Sequence, residues 1–199
     1  MGFQKSQGII GFLLFFSALV FTAPGQEKVI VSSQAGECQL TVESNSEWHT
    51  LRLRAHHPQY KDCRIDKTLL LSTLESAFLK IGSSKPGESY SSLFIGRLID
   101  FPWLSQYLAI AAQKDPEWNP ARGKPRAQDL NQYVSQVLSR KNLLEEIERV
   151  SAQGGYRVVG VSVEKVLVGG LREVPLYQGG VAAGRFPYDA QVWFRLQKY

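Results

Sequence analysis

Apolar and polar residues alternate strictly along two stretches in the first third of the chain. Cys38, Leu40 and Val42 fall on one side and Glu37, Gln39, Thr41 and Glu43 on the other. Leu51, Leu53 and Ala55 then alternate with Thr50, Arg52, Arg54 and His56. A period of two marks a half-buried strand, and two such runs separated by SNSEWH predict a hairpin with a longish loop. Setting both apolar groups on one face predicts Leu40 opposite Leu53, Val42 opposite Leu51, Glu37 near His56 and Gln39 near Arg54. A short strand, Val29–Val31, comes before the hairpin.

The period then changes. Asp66 is a good helix N-cap, and Leu70, Leu71, Leu74, Ala77, Phe78 and Ile81 follow on one helical stripe. SSKPGES interrupts the pattern. Tyr90 to Ile99 is β-branched and aromatic and is predicted as a strand, with SSLFIGRLID also compatible with a helix. Asp100 is placed to cap a helix from Phe101 to Lys114 that is apolar nearly all round and so expected to be buried on more than one side. DPEWNPARGKPRA reads as a Pro-rich loop. A long helix is predicted from about Gln128 to Gln153, with Ser139-Arg140-Lys141-Asn142 as a place for a kink or a split. Gly154-Gly155 is its stop.

Two long strands close the chain. Tyr156–Val168 is expected to turn Val159, Val161, Val163 and Leu167 to one face. Ala190–Lys198 turns Ala190, Val192, Phe194 and Leu196 to one face and Gln191, Trp193, Arg195 and Gln197 to the other. The pair is expected to be adjacent and antiparallel. Helices interleaved with such strands predict an α+β single domain, a mainly antiparallel sheet with about three helices packed on one face.

The first 25 residues stand apart. Lys5 is their only charge, and the apolar run Ile9 to Phe21 is too short to span a bilayer, so 1–25 is expected to be a signal peptide. Pro24 disfavours a cut after Ala23, which places it after Gly25 and leaves residues 26–199 as the mature domain. The competing reading is an uncleaved membrane anchor. No later stretch is apolar enough to cross a membrane.

Export changes the reading of the cysteines. Cys38 and Cys63 are the only two, and in an oxidising compartment they are expected to form one disulfide worth about 3 kcal/mol. His49, His56 and His57 match no zinc spacing, so no metal or cofactor is expected. The net charge of +5 permits an anionic envelope component as partner without requiring one, and the basic residues form no dense run that would point to nucleic acid.

Three stretches are candidate binding sites. GGLREVPLYQGGVAAGRFPYD, residues 169–189, is far longer than ordinary hairpin loops and has no periodicity. It carries Leu176, Tyr177, Phe186 and Tyr188 among five glycines. It is expected to bind a protein or ligand, against the alternative of a hairpin extension folded back on the domain. Arg52 and Arg54 lead a basic cluster with His56, His57, Lys61, Arg64 and Lys67 that could hold an anion. The alternative there is a solvated face partly neutralised by Glu37 and Glu43. Trp118 with Arg122, Lys124 and Arg126 could stack on a sugar or base, or pin its loop.

No G-x-S-x-G, P-loop, G-x-G-x-x-G or H-E-x-x-H motif is present, and no catalytic residue is assigned. The sequence therefore leads to an exported, non-catalytic binding or accessory protein of the bacterial cell envelope, periplasmic or secreted. The alternatives are an envelope hydrolase acting on glycan or peptide, and a secreted inhibitor that inserts the 169–189 loop into an enzyme cleft.

Overall fold

A computed structural model describes residues 27–84, 87–104, 127–139, 142–168, 172–175, 181–184 and 187–199. The leader, most of the predicted Phe101–Lys114 helix and the loop carrying Trp118, Arg122, Lys124 and Arg126 lie outside the described residues. Residues 101–104 of that helix are described, and of these 102–104 are helical.

The elements run β1 (Lys28–Ala35), β2 (Cys38–Asn45), β3 (Thr50–His56), α1 (Lys67–Gly82) and β4 (Ser92–Ile95). A 3-10 turn (Leu98–Asp100) follows, then α2 (Ala127–Ser139), α3 (Asn142–Ala152), β5 (Tyr156–Val168), β6 (Arg172–Pro175), β7 (Val181–Gly184) and β8 (Pro187–Lys198). Six strands make one sheet in the order β1-β2-β3-β4-β8-β5, in which only β3 and β4 are parallel. Helix α1 packs on β1 and β2, α2 and α3 pack on β5, and α1 meets α3. The α+β class and the adjacent, antiparallel final pair are as the sequence predicts.

Alternation dictates the core. Leu40, Val42, Leu51, Leu53, Leu93, Ile95, Val192, Phe194 and Leu196 are all buried beneath the helices. Asp66 does cap α1: its Oδ1 accepts the Leu69 N–H at 2.7 Å. Leu70, Leu74, Ala77 and Phe78 are buried along the predicted stripe, with Leu71 and Ile81 at its margin. The long predicted helix is two helices, one ending at Ser139 and the next starting at Asn142, which is the split that the polar SRKN stretch allows.

Four expectations need correction. The first strand is eight residues long, because pairing with β2 carries it from Lys28 to Ala35. The β2–β3 register is displaced by two: Leu40 faces Ala55, Val42 faces Leu53, Gln39 faces His56 and Thr41 faces Arg54. The strands run further into the connection than expected and close on Asn45 opposite Thr50. There Asn45 Oδ1 accepts the Trp48 N–H at 3.0 Å, and His49 turns the chain at φ 49°. A displacement of two keeps every side chain on its face, so periodicity alone could not detect it. In β5, Val159 and Leu167 point outward, 47% and 50% exposed, while Tyr156, Val158 and Val163 are buried. Bulges between Val158 and Gly160 and between Glu164 and Leu167 each insert a residue and reverse the phase. Finally, the strand predicted from Tyr90 to Ile99 is confined to Ser92–Ile95.

Asp100, predicted as a helix cap, lies in the 3-10 turn and directs its carboxylate to the coil before α1. Oδ1 accepts the Cys63 N–H at 2.8 Å, and its carbonyl accepts the Ile65 N–H at 2.9 Å. Cys63 is bonded to Cys38 with a Cα–Cα distance of 5.8 Å, so the predicted disulfide is present and buried. Burial raises the Asp100 pKa above the ordinary carboxylate value, although the Cys63 N–H and Arg97 pull the other way. A carboxyl raised in the folded state contributes stability that is complete below its ordinary pKa and is lost as pH rises through the raised value. The unfolding free energy of the wild type should therefore fall, relative to Asp100→Asn, as pH climbs through the ordinary carboxylate range, about 4, and above it. Urea titrations at each pH measure this, and a difference that stays flat or runs the other way would refute it.

Candidate functional site

The 169–189 stretch is not a structureless loop. Beyond the last β5–β8 pair, Val168 with Pro187, the same two chain directions pair again as β6 and β7. Arg172 faces Gly184, Glu173 faces Ala183, Val174 faces Ala182 and Pro175 faces Val181. This ribbon is a separate two-stranded sheet. Leu176, Tyr177 and Phe186 fall outside the described residues, and Tyr188 lies within β8. The described backbone of this stretch is therefore paired as a hairpin, Arg172–Pro175 with Val181–Gly184.

Arg52 and Arg54 stand on the face of the sheet opposite the helices, as the alternation of β3 requires. Neither is free. Glu27 reaches across β2 to pair with Arg52 Nη1 and, at 3.2 Å, with Arg54 Nη2, while Glu43 lies 3.4 Å from Arg54 Nε. Elsewhere in the basic cluster, Lys67 pairs with Glu146 at 2.8 Å and His57 Nε2 lies 2.9 Å from Glu37. The Gln59 N–H donates to His57 Nδ1 at 3.0 Å, so that nitrogen accepts and Nε2 carries the hydrogen towards Glu37. Arg52, Arg54, His57 and Lys67 of the cluster are therefore partnered, by Glu27 and Glu146 as well as by the Glu37 and Glu43 that the sequence suggested.

The same face carries a row the sequence did not reveal. Register sets Glu43, Arg52, Phe94, Trp193 and Ser162 side by side across β2, β3, β4, β8 and β5. The rings of Phe94 and Trp193 are 4.3 Å apart at 35°. The Arg52 guanidinium lies 6.0 Å from the centre of Phe94 and 5.9 Å from that of Trp48, within cation–π range. The β2–β3 turn holds Trp48 there at 61% exposure. Arg52 Nε and Trp193 Nε1 are buried donors with no acceptor.

One row further along β8 lies Arg195, opposite Ser92 on one side and Gly160 on the other. Its guanidinium rests on Gly160 so closely that a methyl group there would meet Nη2 at 2.7 Å. Beyond it, Arg157 donates through Nε and Nη2 to the neutral Gln197 Oε1, at 3.1 and 2.7 Å. Alternation along β8 puts Trp193 and Arg195 on the polar side of the strand, without showing what stands beside them. The available signal was a tryptophan among polar positions of an alternating run.

Among the described residues no three His, Cys, Asp or Glu side chains are grouped to hold a metal ion, and no helix is long and apolar enough to cross a membrane. Comparison with known proteins finds no matching family model, no matching curated protein and no matching solved structure.

Proposed function

We propose that this chain is an exported, non-catalytic binding protein of the bacterial cell envelope, and that the β6–β7 ribbon with its tip engages a protein partner. The observation that supports this reading is the ribbon itself. Its strands are hydrogen-bonded to each other and join no larger sheet. A two-stranded ribbon is marginal in water and gains order when its apolar residues are covered. Leu176 and Tyr177, which follow β6 in the chain, and Phe186 and Tyr188, which follow β7, are residue types that anchor interfaces. The disulfide suits an oxidising compartment outside the cytoplasm.

Changing Tyr177 and Phe186 together to alanine tests it. Capture of the partner from envelope extracts should be lost while the melting temperature barely moves. A loss of roughly 3 kcal/mol or more per residue, with capture retained by the folded fraction, would mean that the side chains serve the core instead.

A further inference from the structure

We propose that the outer face of the sheet, between Trp48 and Arg157, is a binding platform for an acidic polysaccharide, independent of the ribbon. Sheet faces turned to water ordinarily carry small polar side chains. This one carries the stacked Phe94–Trp193 pair at its centre, with the exposed Trp48 ring beyond Arg52. From β3 to β8 the row spans two strand spacings, about 10 Å, the length of a disaccharide. Ring faces of this kind pack against the C–H faces of sugars while leaving the hydroxyls free for polar partners.

The charges beside the rings select an acidic chain. Glu27 and Glu43 are occupied by Arg52 and Arg54. Arg195 and Arg157 have no carboxylate among the described residues. The first lies over Gly160 and the second is turned to Gln197. They form a cationic edge along β5 and β8, parallel to the strands and next to the aromatic row. Glu164, opposite Gln191, bounds the platform on its other side. A flat face of rings with uncompensated guanidinium groups fits an extended polymer of anionic sugars better than a small molecule, which is held in a concavity. Guanidinium forks match carboxylates in two-point contacts.

Native affinity electrophoresis of the exported chain, with polygalacturonate in the gel, tests the proposal. Fully methyl-esterified pectin serves as the neutral counterpart, polyphosphate as charge without rings, and phosphatidylglycerol vesicles as an anionic surface. Polygalacturonate should retard the protein and the other three should not. Trp48→Ala and Arg195→Ala should each weaken retardation about tenfold without changing the melting temperature, since both side chains are exposed. The Tyr177→Ala, Phe186→Ala chain should still bind, which separates this site from the ribbon. No retardation by polygalacturonate would overturn the proposal. So would equal retardation by polyphosphate or vesicles, which would show charge alone, and so would binding that survives both Trp48→Ala and Arg195→Ala.

Discussion

Replacing Cys38 and Cys63 together by serine should lower the unfolding free energy by about 2–4 kcal/mol and leave the fold recognisable. The bond joins residues 25 apart, the first residue of β2 and the coil that leads into α1. In the unfolded chain the cross-link removes the conformations in which these points separate, and its loss restores them. In the folded chain the two sulfurs are buried, so two serine hydroxyls would also enter an apolar environment. The coil does not depend on the bond alone. Asp100 still receives the N–H groups of Cys63 and Ile65, and the Trp103 indole N–H still donates to the Ile65 carbonyl at 3.1 Å. Retention of the fold follows from these bonds. Urea unfolding with an unchanged slope would measure the loss, and non-reducing peptide mapping would confirm the pairing. A change below about 1 kcal/mol would mean that the Asp100 contacts alone hold the coil.

Gly154→Ala should cost about 1–3 kcal/mol, far more than an exposed Gly→Ala change, which often stabilises. Gly154 lies in the turn after α3, where that helix meets the end of α1. A methyl group there would sit 2.8 Å from the Phe78 carbonyl oxygen and 3.0 Å from its ring. The crowding is reciprocal, since a methyl on Gly82 would lie 2.9 Å from the Gln153 carbonyl oxygen. The two carbonyl oxygens are backbone, which cannot swing aside, and the Phe78 ring is itself fully buried. Relief would have to come from moving α1 away from α3, which would loosen the packing around Phe78 and Tyr156. Thermal or urea unfolding of the variant checks this. The neighbouring Gly155 makes a useful contrast: it has φ 77° and open space around its missing side chain, so alanine there would be strained by its backbone and not by contact.

The ribbon shows where loop reasoning stops. Five glycines and a missing period made 169–189 look like a connection without structure. Yet its backbone pairs across four residues on each side. The pairing lies beyond Val168 and Pro187, the last residues paired between β5 and β8, and no local period in 169–189 records it.

Local chemistry determined much of this protein. Strict alternation named the buried faces of β2, β3 and β8, because a side chain's face depends only on its parity along the strand. Asp66 declared the start of α1 because a carboxylate before an apolar stripe has free N–H groups to receive. Two cysteines in a chain read as exported could pair only with each other. Tertiary structure alone decided the rest. The two-residue displacement of β2 against β3 leaves parity untouched and so leaves no trace in the pattern. The place of β4 between β3 and β8, parallel to one and antiparallel to the other, is a long-range pairing. That insertion brings Phe94 to Trp193, a residue 99 positions later, and sets Arg52 beside both. Each of the three is an ordinary outward-facing side chain on its own strand. They become one surface only through the order of the strands, a long-range choice that no local period records.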